Sequence, residues 1–129
     1  MIVRRGVTLL GAALLLALGA AACGGSSGGG AYVPPKGPVV DSVTVDAGNL
    51  YFEPDRVTTE AGNVRITLDN VETGAHNLVI EGVPRFILEV GGKGDSDTNV
   101  VALEAGDYVF YCSLPGHRSG GMEGEITVG

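Results

Sequence analysis

The sequence predicts an all-β chain, a Greek-key β-sandwich of seven or eight short strands in about 90 residues, preceded by a leader and a tether. Three observations predict it. From Val39 onward, short β-branched runs are cut by Gly, Asn, Asp and Ser. Within those runs apolar and polar residues alternate: Val64, Ile66 and Leu68 interleave with Arg65, Thr67 and Asp69, a period of two that turns one strand face to a core and the other to water. After the leader, no stretch keeps a helical period of useful length. With aromatics at only 5% and no Trp, the core must rest on Val, Ile and Leu.

Residues 1–22 read as an export signal. Arg4 and Arg5 form a basic start, an apolar run follows from Val7, and Ala20-Ala21-Ala22 supplies small residues for cleavage. The apolar run covers about 16 residues and meets a Gly-rich stretch at once, which is short for a helix that stays in the membrane. Ala20-Ala21-Ala22-Cys23 resembles a bacterial lipobox, with Ala20 where Leu is usual. On that reading Cys23 carries lipid and becomes the mature N-terminus; ordinary cleavage at the Ala-x-Ala pattern would instead release a soluble protein. Residues 23–38 are then a Gly/Ser/Pro-rich tether, flexible at first and stiffer through Pro34-Pro35-Lys36-Gly37-Pro38. About 15 such residues have a root-mean-square span near ~20 Å and a limit near ~50 Å.

The folded domain is expected over residues 39–129. Val43 and Val45 mark its first strand and the 64–68 alternation the second. Further strands are expected at 76–80, 86–90, 98–103, 107–112 and 123–128. Gly62-Asn63, Gly91-Gly92 and Ala105-Gly106-Asp107 are expected to form turns.

The formal charge is −7, and all fifteen acidic residues lie beyond Cys23 with only six of the eight basic ones. The mature chain therefore stands near −9, six basic against fifteen acidic residues. Such acidity excludes nucleic acid as a partner, since that binding needs a basic surface. It suits solubility, and it would steer a basic protein partner.

The chemistry concentrates near the C-terminus, where Cys112, His117 and Met122 stand in a C-x4-H-x4-M spacing. The chain has two histidines, and the other is His76. Singly, each residue has an ordinary reading: His76 as a hydrogen-bonded core residue, Cys112 as an inert thiol, Met122 as core filler. Together they are the soft thiolate, two imidazoles and thioether that suit copper. A Cys23–Cys112 disulfide would consume the only thiolate in this cluster, so the two cysteines are read as one lipid site and one metal ligand. Strand parity agrees. His76 shares a face with Leu78 and Ile80, and Cys112 with Tyr108 and Phe110. His76 begins its strand and Cys112 ends one, so antiparallel pairing would bring both to one pole. Arg118 and the nearby acidic residues read as solvated surface.

Over residues 41–129 the chain resembles the cupredoxins, the small blue-copper proteins of the plastocyanin, pseudoazurin and sulfocyanin group. The resemblance rests on Tyr51-Phe52-x-Pro54, on Gly74-Ala75-His76-Asn77, and above all on Gly106-Asp107-Tyr108-x-Phe110-Tyr111-Cys112-Ser113-x-Pro115-Gly116-His117 with Gly121-Met122-x-Gly124. It implies one copper ion alternating between Cu(I) and Cu(II), with His76, Cys112 and His117 as equatorial ligands and Met122 as the axial one. It also implies that Asn77 ties the two ligand loops together, with Ser113 as its partner.

The expected function is a one-electron carrier, outside the cytoplasm and lipid-anchored to the outer face of the cell membrane. Electrons would pass through the edge of His117, within an apolar docking patch of Leu114, Pro115, Gly74 and Ala75. Its partners would be transient redox proteins of the cytochrome or oxidase type, and the protein itself a monomer. An enzyme of the copper nitrite reductase or multicopper oxidase kind needs further histidines, and none remain after His76 and His117. A binuclear copper site needs a second cysteine where Gly116 stands. The alternative is a module for copper storage or delivery, which would favour an exposed, Met-rich site, and only Met122 remains after the initiator.

Overall fold

The computed structural model describes residues 30–129. The leader, Cys23 and the first part of the tether lie outside the described residues. Nine strands form among the described residues: β1 Val39–Gly48, β2 Tyr51–Glu53, β3 Arg56–Thr59, β4 Gly62–Asn70, β5 His76–Ile80, β6 Ile87–Val90, β7 Ser96–Leu103, β8 Gly106–Tyr111 and β9 Glu123–Val128. The expected strands are all present, β5 and β9 with their expected limits.

The two additions, β2 and β3, have 3 and 4 residues, too short to carry a period of two. They form because long neighbours offer them open edges: β2 lies antiparallel on β1, and β3 parallel on β9. Gly62 and Asn63 open β4 instead of forming a turn, paired with Leu103 and Ala102.

The strands make two layers, one ordered β2-β1-β4-β7 and the other β3-β9-β8-β5-β6. Both are mixed, because β1 runs parallel to β4 and β3 parallel to β9. Alternate residues face between the layers. Val64, Ile66 and Leu68 of β4 meet Leu78, Leu88, Phe110, Ile126 and Val128 from the other sheet, all buried. Each such side chain contributes roughly 1.5–3 kcal/mol through removal from water. Phe110 packs against Phe52, with ring centroids 5.2 Å apart. Its ring lies over Gly124, where a Cβ would also come within 2.6 Å of the Asp55 carbonyl. That close approach explains a glycine at an inward position of β9.

Part of the expected tether is seated on the sandwich. The half-buried Tyr32 packs edge-on against Phe86, with centroids 5.2 Å apart and planes at 89°. Its hydroxyl donates to the Val100 carbonyl at 2.9 Å, and burial raises its phenol above the ordinary value. Phe86 leads into β6 and Val100 lies in β7, the edge strands of the two sheets. Tyr32 therefore covers the side where those edges face each other. Further along, Asn63 donates to the Lys36 carbonyl at 3.0 Å.

Candidate metal centre

Antiparallel pairing of β5 and β8, with Val79 opposite Tyr111, brings the start of β5 and the exit of β8 to one end of the sandwich. His76 opens β5 and Cys112 follows β8, so both side chains arrive at that end from the core-facing series of their strands. They are 3% and 0% exposed. Met122, just before β9, is also fully buried.

The segment between Cys112 and Met122 is closed by its own backbone. The amide of His117 donates to the Leu114 carbonyl at 3.1 Å, and that of Gly120 to the Gly116 carbonyl at 3.0 Å. Met122 then links the ligand positions: its amide donates to the His117 carbonyl and its carbonyl accepts from the Cys112 amide, both at 3.1 Å. A C-x4-H-x4-M spacing thus becomes a closed loop.

One ligand atom each from His76, Cys112 and His117 can be chosen so that all three lie within 4.8 Å of one another. Cys112 Sγ is 3.5 Å from His117 Nδ1, and the two imidazole centroids are 5.2 Å apart with planes at 58°. Among the described residues, the Nδ1 of His76 is buried without a hydrogen-bond partner. An orphaned buried nitrogen is costly unless something accepts its lone pair, and a metal among these donors would do so. A thiolate, two imidazoles and an adjacent thioether residue fit copper.

Asn77 joins the two halves of the site. Its Oδ1 accepts from the Ser113 amide at 2.7 Å, and its Nδ2 donates to Ser113 Oγ at 2.9 Å. This is the pairing the resemblance implies. It also explains why Asn77 is buried although it alternates with the core-facing residues of β5.

The loop ahead of His76 holds contacts that the sequence does not announce. Asn70, 3% exposed, donates from Nδ2 to the Gly74 carbonyl at 2.7 Å, and its Oδ1 accepts from the Glu72 amide at 3.1 Å. Glu72 then places its carboxylate on His76 Nε2. The hydrogen bond from His76 is the main cause that holds the Glu72 carboxyl below its ordinary range, against the opposing effect of partial burial. The only hint in the sequence is a carboxylate four residues before the upstream histidine, which in a loop predicts no contact.

Arg118 is not simply solvated surface. Its guanidinium lies 4.0 Å above the Tyr111 ring and pairs with Glu81 at 2.6 Å and Glu123 at 2.5 Å. These contacts brace the outer wall of the ligand loop. The residues expected at the docking patch all belong to the two ligand segments. Pro115 and Ala75 are exposed, while Leu114, His117 and Gly74 are half-buried. Cys23 lies outside the described residues.

Fold and donors together define a type 1 copper site for a single copper ion, formed by His76, Cys112, His117 and Met122 in a two-layer β-sandwich. The family model for copper binding proteins of the plastocyanin/azurin family matches residues 39–129, and the chain belongs to that family. No curated protein matches it in sequence. Among solved structures it is similar to the dithionite-reduced auracyanin of the photosynthetic bacterium Roseiflexus castenholzii, with 24% identity over 71% of this chain and 99% of that one and a TM-score of 0.62. Auracyanin B follows with 20% identity, 78% and 96% coverage and a TM-score of 0.62. Auracyanin A, a "blue" copper protein of the green thermophilic photosynthetic bacterium Chloroflexus aurantiacus, shows 19% identity, 68% and 98% coverage and a TM-score of 0.58. At these identities the likeness shows the fold. Family and ligand set together make the protein, in general terms, a blue copper electron carrier.

Proposed function

We propose that this protein shuttles single electrons between transient protein partners outside the cytoplasm, held near the membrane by a lipid on Cys23. The observation that carries the reading is the unequal exposure of the ligands. His76, Cys112 and Met122 are 3%, 0% and 0% exposed, whereas His117 is half-buried at the surface of its loop. Copper, when bound, supplies a one-electron couple whose two states both accept this donor set. The chain's part is to fix the donors, exclude water from three of them and leave the His117 edge as the electron's way in and out. Leu114 and Pro115 stand beside His117 on its own loop, and Gly74 and Ala75 precede His76. These small or apolar residues would form the docking rim, which suits an encounter that forms and parts quickly with a cytochrome or oxidase type of partner.

The reading is tested on the full chain loaded with Cu(II). It requires an intense blue thiolate-to-copper absorption and a reversible one-electron wave at an electrode. A colourless complex, or copper surrendered readily to a weak chelator, would overturn it in favour of storage or delivery. The tether is tested separately, because Cys23→Ala should move the protein from membranes to the soluble fraction.

A further inference from the structure

We propose that Glu72 is a positioning residue that fixes the proton of His76 and biases the copper centre toward its oxidised state. The inference rests on the copper-carrier reading and adds to it the residue that sets the couple. A carboxylate can only accept, so its contact with His76 Nε2 places the imidazole proton on that nitrogen. The lone pair is thereby left on Nδ1, the buried atom that has no partner among the described residues. One interaction at the back of the ring prepares the front of it for a metal.

The same contact has an electronic consequence. A carboxylate hydrogen-bonded to a ligating imidazole increases the ring's basicity, and its negative charge stabilises the more highly charged metal state. The His76 side chain is 2% exposed and that of Glu72 27%, so water screens the pair only in part. Glu72 therefore favours Cu(II) over Cu(I) and lowers the reduction potential.

The surroundings hold this carboxylate in place. Asn70 grips the loop on both sides of Glu72, through the Glu72 amide and the Gly74 carbonyl. Gly74 supplies the space: a Cβ there would sit 2.8 Å from Glu72 Oε1. Its backbone is not in the left-handed region, so an alanine would be tolerated by the chain and would displace only the carboxylate. Gly74 is thus required by Glu72 as much as by any docking partner.

The test compares the wild type with Glu72→Gln, Glu72→Ala and Gly74→Ala. Gln keeps an acceptor for His76 but loses the charge. The expected result for Glu72→Gln is about a tenfold loss of Cu(II) affinity relative to Cu(I), read as a rise of about 59 mV in potential for one electron. Glu72→Ala should shift at least as far, and Gly74→Ala in the same direction by less. A Glu72→Gln protein with the wild-type potential would overturn the electronic role, even if Glu72→Ala binds copper poorly. The proton assignment has its own readout, nitrogen NMR of the full chain before copper is added. His76 should show one tautomer, protonated at Nε2, in the wild type and a mixture in Glu72→Ala. A mixture already present in the wild type would overturn that part. Failure of the carrier reading would look different, as a wild type without colour or reversible couple, and the tautomer would still decide the role of Glu72.

Discussion

The two segments that supply ligands are built by opposite means. Residues 70–77 are ordered by side chains. Asn70 closes the loop, Glu72 reaches His76, and Asn77 reaches across to Ser113. Residues 112–122 are ordered mainly by backbone hydrogen bonds, which run from Leu114 to His117, from His117 to Met122 and from Met122 to Cys112. The first segment buries its histidine and the second leaves its histidine half-buried. The difference teaches how one site both retains a metal and exchanges electrons. Specific side-chain contacts hold the inner ligand, while the outer ligand is presented by a loop closed through its own backbone and braced on its outer wall by Arg118.

The largest effect should come from removing the thiolate donor that opens the second segment. Cys112→Ser replaces the thiolate with a hydroxyl at a fully buried position, and the blue absorption should vanish. The stabilisation given by copper should fall with it. A ligand present at a thousand times its dissociation constant adds about 4 kcal/mol to the native state, so thermal melts with and without copper should differ widely in the wild type and far less in the variant. A variant that keeps both the colour and the copper-dependent melting shift would remove Cys112 from the site.

Next in size is the strut between the segments. Asn77→Ala removes two hydrogen bonds to Ser113. The expected cost is about 1–3 kcal/mol, measured by denaturant unfolding, together with faster loss of copper to a chelator. Unchanged copper retention would mean that the segments hold their relation without Asn77.

The contrast itself is sharpened by a matched pair of alanine variants. Asn70→Ala takes a buried side chain and two hydrogen bonds from the first segment, at about 1–2 kcal/mol. Ser119→Ala takes one exposed hydrogen bond, to the Gly116 carbonyl at 3.1 Å, from the second, at about 0.5 kcal/mol or less. Equal losses in the two would show that the 112–122 loop depends on side chains as much as its neighbour does.

This division also separates what the sequence makes legible from what it does not. The sandwich is legible because alternation is local: Val64, Ile66 and Leu68 announce β4 without knowledge of any partner. The ligand set is legible because three of its residues fall within a few positions and the histidines are so few. β2 and β3 are not, because Phe52 is the only inward residue of β2, β3 has just Val57 and Thr59, and each strand depends on a longer neighbour. Tyr32 hides among Gly and Pro residues that read as linker, and its value lies in two sheet edges brought together by the fold. Glu72 hides most completely. Its contact requires a loop shape set by Asn70 and a missing Cβ at Gly74, neither of which leaves a periodic trace.

The smallest effect should come from a carboxylate that belongs to neither segment and serves as a control on both. Asp41 lies near the start of β1, at the far end of the sandwich from the ligands. It accepts from Thr59 Oγ1 at 2.8 Å, from the Ser42 amide at 2.8 Å and from the Glu60 amide at 3.4 Å. The Thr59 hydroxyl first, then the Ser42 and Glu60 amides, hold its carboxyl below the ordinary value. The folded chain therefore protonates Asp41 only at a lower pH than the unfolded chain does. Its contribution to stability is complete above the ordinary carboxylate range and is lost as pH falls through the lowered folded value. Asp41→Asn should flatten this part of the acid dependence of unfolding, by a small amount because the group is exposed to solvent screening. The blue absorption at neutral pH should stay as it is. If the absorption changes as well, the two ends of the sandwich are coupled, and the ligand segments cannot be treated as a pair that settles its own geometry.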